Sequence, residues 1–165
     1  MTDSDYTVTE LCLWNKNLTK LPDDLHLYTN LRFLIVNNNE LTSLDGLPPT
    51  IDELYCSNNK LASLDNLPPT IRILHCYKNY LTSLDRLPPT ITDLACNFNQ
   101  LTSLDRLPTQ LKQLNCQNNQ ISSLDNLPET LTSLWCNPNP FEYVFEPTLE
   151  NIRHYVATQK TPVIK

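Results

Sequence analysis

Six cysteines and three histidines are the residues of this chain whose types could carry nucleophilic, redox or metal chemistry. Five of the cysteines, Cys56, Cys76, Cys96, Cys116 and Cys136, recur every twenty residues. That spacing stacks them in a column instead of gathering them around a point. A straight line of thiols does not supply a metal tetrahedron, so no metal is expected. On adjacent parallel strands, about 4.8 Å apart, Cα distance alone would permit disulfides. Side chains in register point the same way, however, and the required dihedral of about 90° would strain the sheet. Free buried cysteine packs as a small hydrophobe. A reduced packing column is expected, with an oxidised pair as the alternative.

His26, His75 and His154 fall too far apart along the chain's repeats to act together. His75 cannot serve as the base for Cys76, because adjacent strand residues face opposite sides. There is no glycine-rich phosphate loop, no His-Glu-x-x-His and no Gly-x-Ser-x-Gly. Neither catalysis nor a cofactor is expected.

The element that positions the cysteines is a twenty-residue unit. Leu31, Ile51, Ile71, Ile91, Leu111 and Leu131 open it, and Leu34, Leu54, Leu74, Leu94, Leu114 and Leu134 follow three places on. Val36 and the five cysteines come two residues later, then Asn39, Asn59, Asn79, Asn99, Asn119 and Asn139. Leu41, Leu61, Leu81, Leu101, Ile121 and Phe141 close the pattern L-x-x-L-x-L/C-x-x-N-x-L, the signature of a leucine-rich repeat. A degenerate first unit carries Val8, Leu11, Leu13, Leu18 and Leu21, with Lys16 at the asparagine position. Leu18 and Leu41 are 23 residues apart, against 20 between later equivalents, as befits a terminal repeat. Seven units over about residues 8–144 and a cap over about 141–160 are expected to make residues 1–165 one domain.

Within a unit, Glu53-Leu54-Tyr55-Cys56-Ser57 alternates as a half-buried strand does. Leu54 and Cys56 should face the core; Glu53, Tyr55 and Ser57 should face a concave surface. Asn59 should bond backbone groups of its own and adjacent turns, since a buried amide without partners is costly. Pro68-Pro69 should give an extended, polyproline-like return on the convex side, where twenty residues leave no room for a helix. The fold expected is a leucine-rich repeat solenoid: a curved parallel β-sheet on the concave side, an irregular or polyproline convex side, and a short C-terminal capping helix. Phe141, Val144 and Phe145 should continue the last core layer. A helix from about Thr148 to Gln159, capped by Thr148, should bury Leu149, Ile152, Tyr155 and Val156; a partner-binding helix is the alternative. Thr161 to Lys165 reads as a frayed tail.

Asp45, Asp65, Asp85, Asp105 and Asp125 form another column. Calcium needs six to eight oxygens, and the unit offers no second acid beside each aspartate. The expected role is capping amides of the Leu-Pro turn that follows; a calcium ladder is the alternative.

The formal charge is −6 with interspersed signs, which argues against a nucleic-acid backbone as partner. No apolar run approaches the roughly 20 residues of a membrane span. Met1 to Glu10 is polar and acidic and does not read as a signal peptide. Together with free thiols this implies a reducing, cytoplasmic compartment, with a virus- or pathogen-encoded protein acting in a host cytosol as one form of that expectation.

The concave columns are where the sequence stops repeating. The middle one reads Cys12, Ile35, Tyr55, His75, Ala95, Asn115, Trp135. Trp14, Phe33, Ile35, Tyr55, Ile73, His75 and Tyr77 make an apolar and aromatic patch across the first four units, which Tyr80 and Phe98 extend along the edge. Exposed aromatic patches mark interaction sites. The expected partner is a protein. The alternatives are self-association into a homo-oligomer through the same patch, a carbohydrate held by the aromatics, or a Trp14 and Phe33 that merely shield the first repeat's end.

The units LPPTIDELYCSNNKLASLDN and LPPTIRILHCYKNYLTSLDR resemble the short leucine-rich repeats of bacterial secreted effectors, and equally those of giant DNA viruses of amoebae. The resemblance covers nearly the whole chain and implies fold more than function, because the repeat is a scaffold for different partners. Some effectors of this kind carry a ubiquitin-ligase domain with a catalytic cysteine after the repeats. These 165 residues contain no such segment, so that activity is not expected, and Cys12, the one cysteine outside the column, lies on the concave side.

Overall fold

Each unit contributes one short strand, and the strands stack in chain order. The structure, a computed structural model, describes residues 6–160; the tail expected to fray, Thr161 to Lys165, lies outside them. The strands are β1 (Glu10–Cys12), β2 (Phe33–Ile35), β3 (Glu53–Tyr55), β4 (Ile73–His75), β5 (Asp93–Ala95), β6 (Gln113–Asn115) and β7 (Ser133–Trp135). All six pairings are parallel, in the order β1 to β7. Each register step equals one repeat, so Leu34, Leu54, Leu74, Leu94 and Leu114 pair in line. Strand pairing continues past the labelled residues: Cys56 N–H donates to His75 C=O at 2.8 Å and Asn58 N–H to Tyr77 C=O at 2.8 Å.

The core is a set of columns. The opening Leu/Ile, the strand leucine, the Val36 and cysteine position, and Leu41 with its equivalents are fully or almost fully buried through the central units. The five column cysteines are buried and free, whereas Cys12 is free and exposed. Burial pushes the Cys56 and Cys96 thiols up to about 12, because a thiolate there would lose its hydration.

The asparagine column carries the turns. Asn79 Oδ1 accepts from Leu61 N–H at 3.0 Å, while its Nδ2 donates to Cys56 C=O at 3.1 Å and Cys76 C=O at 3.0 Å. Each amide thereby ties its own turn to the preceding repeat, and the pattern recurs at Asn59, Asn99 and Asn119. A second column does the same on the convex side. Thr90 Oγ1 lies 2.7 Å from Ile71 C=O and 2.8 Å from Pro69 C=O, and Thr70 and Thr130 sit likewise on their preceding repeats.

Four expectations need correction. The proline pair does not run as an extended return: Ile71 N–H donates to Pro68 C=O at 3.3 Å, closing a turn with Pro69 at its second position, where a fixed φ favours turning. The aspartates do not cap the following amides. Asp45 accepts from Asn66 Nδ2 at 3.2 Å and Asp105 from Asn126 Nδ2 at 2.9 Å. Asp65 and Asp85 pair with Arg86 and Arg106 of the next unit. Each carboxylate thus reaches forward one repeat, and Ser43 with Asn66, and Ser103 with Asn126, hold Asp45 and Asp105 below the usual carboxylate range. Ser57, expected on the concave surface, is buried at 1% exposure, and Asn37 Oδ1 accepts its N–H at 2.7 Å. Val144, expected in the last core layer, is fully exposed; Tyr143 takes its place, stacked 5.0 Å from Phe145.

The ends differ from the middle for physical reasons. The three extra residues of the first unit accommodate a 3₁₀ turn, Leu25–Leu27, whose Leu25 is wholly buried. At the other end, α1 (Leu149–Lys160) begins after Thr148, whose Oγ1 accepts Asn151 N–H at 3.2 Å, and it buries Ile152 against the last repeat.

Candidate binding face

Alternation in each strand leaves two residues pointing away from the core, and in β2 to β4 these are the large ones. Their middle residues, Leu34, Leu54 and Leu74, are buried, whereas Phe33, Ile35, Tyr55, Ile73 and His75 are half-buried. Parallel register places Ile35 beside Tyr55 and Tyr55 beside His75. The rings touch: Phe33 to Tyr55 at 5.1 Å and Tyr55 to His75 at 4.8 Å, edge to face. Such pairs gain about 0.5–1.5 kcal/mol beyond their buried area, so the row is held together before any partner arrives.

Carboxylates border the row. Tyr55 Oη donates to Glu53 Oε2 at 3.2 Å, and His75 Nε2 lies 3.5 Å from Asp93 Oδ1. Burial first, then the Glu53 and Asp93 charges, raise the Tyr55 hydroxyl above its ordinary value, so it stays protonated and donating.

Not all of the expected patch comes together. Phe33, Ile35, Tyr55, Ile73 and His75 are contiguous in the sheet, and half-buried Tyr77 continues beyond His75 on the same face. Trp14 stands apart at 52% exposure, separated from Tyr77 in its column by Asn37 and Ser57. Tyr80 and Phe98 are about half exposed at the edge, and Lys78 Nζ sits 5.7 Å from the Phe98 ring centre. Lys78 and Phe98 adopt φ of 54° and 55°, at the position where Asn38, Asn58 and Asn118 stand in neighbouring units. Asparagine tolerates that left-handed region; lysine and phenylalanine do so at a cost.

A second feature of the face was not singled out by sequence reasoning. Beyond His75 the middle column drops to Ala95, then rises through Asn115 to Trp135, which is 49% exposed. The short alanine opens a depression of about 250 Å³. Its signal in the sequence was a lone small residue among large ones in an outward column.

No family model matches the chain, and no curated protein does. Among solved structures the chain is similar to YopM from Yersinia enterocolitica, at 36% identity and a TM-score of 0.75 over 84% of this chain and 30% of that one. It is similar to the leucine-rich repeat domain of a Shigella effector, at 27% identity and a TM-score of 0.67 over 94% and 78% of the two chains. The functional domain of InlJ from Listeria monocytogenes, which includes a cysteine ladder, is 34% identical with a TM-score of 0.71 over 84% and 32%. The chain spans about a third of the length of the YopM and InlJ chains. These neighbours show a leucine-rich repeat solenoid of the kind found in bacterial effectors, with short repeats.

Proposed function

We propose that this leucine-rich repeat protein is a protein-binding module, a single domain that holds its partner on the concave face around Tyr55, His75 and Tyr77. The observation that carries the reading is the contiguous ring row Phe33, Tyr55, His75, set in columns that vary while every core column repeats. Leucine-rich repeats generally serve as protein–protein interaction modules, and aromatic residues that combine apolar area with a polar tip are favoured anchors. The likeness to effector repeats and the column of free, buried cysteines support action in a cytosol.

The test is the double variant Tyr55→Ala/Tyr77→Ala. Neither ring faces the core, so the melting curve should keep its cooperativity. Partner capture should fall by about 2 kcal/mol or more per anchor. Light scattering of the unmutated protein, run alongside, separates a different partner from a second copy of the chain. Unchanged capture with an unchanged fold would move the site off this face, to α1.

A further inference from the structure

The depression over Ala95 has one carboxylate, two amides and one large aromatic face around it. Its lining includes His75, Asp93, Ala95, Gln113, Asn115 and Trp135. His75 and Trp135 stand three strands apart, about 14 Å at the spacing of a parallel sheet. Apart from the His75 ring at 3.5 Å, no group among the described residues pairs with the Asp93 carboxylate. Its second oxygen keeps acceptor capacity, and Asp93 is part of the lining. The Trp135 ring makes no aromatic contact among the described residues and is half exposed, so it is accessible to a ligand.

The charge of the surface selects the occupant. The three concave columns hold Glu10, Glu53 and Asp93, and they contain no lysine or arginine. A cation is complementary to such a face. At about 250 Å³ the space falls below the roughly 300–1,000 Å³ of sites for drug-sized ligands, and suits one long side chain. A planar guanidinium satisfies both walls at once: it stacks on an indole and donates in parallel to a carboxylate and to amide oxygens. An ammonium could do only part of this.

We infer that the depression between His75 and Trp135 is a subsite for an arginine side chain of the protein partner, paired with Asp93 and stacked on Trp135. The assignment rests on the concave-face reading and specifies the partner's chemistry within it.

The experiment titrates acetyl-arginine-amide into the full chain and follows the Trp135 indole N–H by NMR. Trp14→Phe assigns the two indoles, and Trp14, on the first unit, serves as internal control. The expected result is a saturable shift at Trp135 and not at Trp14, a smaller response to acetyl-lysine-amide, and none to acetyl-glycine-amide. Asp93→Asn, which preserves shape, should weaken the arginine response at least about tenfold. No shift at Trp135, an equal response to acetyl-glycine-amide, or an undiminished response in Asp93→Asn would overturn the assignment. If arginine fails while Tyr55→Ala/Tyr77→Ala still abolishes partner capture, the subsite falls and the concave reading stands. If arginine binds as described while capture survives that double variant, the subsite stands and the concave reading falls.

Discussion

Replacing Asn79 with alanine isolates the device that joins neighbouring repeats. Four backbone groups lose a partner: Leu61 N–H, Cys56 C=O, Cys76 C=O and, at 3.5 Å, Tyr77 C=O. The three carbonyls each keep another donor, Asn59 at 3.0 Å on Cys56, Asn99 at 3.2 Å on Cys76 and Asn58 N–H at 2.8 Å on Tyr77. Leu61 N–H has no such reserve and becomes a buried orphan. A buried unsatisfied donor costs about 1–3 kcal/mol. The weakened carbonyl bonds add to that, while relief from burying the asparagine amide offsets part of it, so the total stays near about 1–3 kcal/mol. Asn115→Ala is the matched control. Its side chain faces outward and accepts only Gln117 N–H at 3.3 Å, so its loss should cost less than about 0.5 kcal/mol. Urea melts of both variants, compared at unchanged slope, give the two numbers. Equal losses would mean that the asparagine column does not carry the turns.

At mildly alkaline pH a thiol reagent should modify Cys12 fast and the five column cysteines slowly, since Cys12 alone is exposed and burial keeps Cys56 and Cys96 protonated up to about 12. Fast native labelling of Cys76 or Cys96 would contradict that packing. Phe98→Asn should raise stability by about 1 kcal/mol, because asparagine occupies the left-handed position more cheaply and does so at Asn58 and Asn118; a lower urea midpoint would remove strain from the account of that edge. Arg153→Ala should cost about 1–2 kcal/mol and speed amide exchange in the last repeat and α1 ahead of the rest, whereas a uniform rise along the array would argue against a local cap.

Whatever the repeat fixes was legible before the fold was known. A position that recurs every twenty residues sees the same neighbours each time, so the burial of Leu54, Cys76 or Asn99 could be inferred from any one unit. The side of the sheet on which Tyr55 and His75 lie followed from alternation. What escaped was set by neighbours of unequal size or by partners one repeat away. Ser57 sits in an outward position yet is buried, its N–H held by Asn37 of the preceding unit. Asp65 and Asp85 sit before a Leu-Pro turn yet pair with arginines of the following unit. Ala95 marks a depression only because His75 and Trp135 flank it. None of these relations is visible within a single unit, which is the scale at which the pattern is read.

The last repeat shows why lateral relations matter most. Internal units receive bonds from their successors: a threonine on convex carbonyls, except where Gln110 stands in its place, a side chain on the aspartate, an asparagine on the turn. The seventh strand has no successor, and an uncapped end would leave those groups to water. Arg153 of α1 supplies the first device, its Nη2 lying 2.8 Å from both Glu129 C=O and Leu131 C=O. These carbonyls lie twenty residues beyond Thr109 and Leu111, which Thr130 satisfies one unit earlier. One unit earlier, Tyr143 of the seventh unit takes over the bond on the aspartate of the sixth, its hydroxyl donating to Asp125 Oδ1 at 3.1 Å. The end of the array therefore keeps part of an internal repeat's bonding with residues of different types on a different backbone. Pattern matching passes over such a cap, because the geometry is kept while the letters are not. The helix is committed to this work through Ile152, buried against the last repeat, and through Arg153 on its two carbonyls.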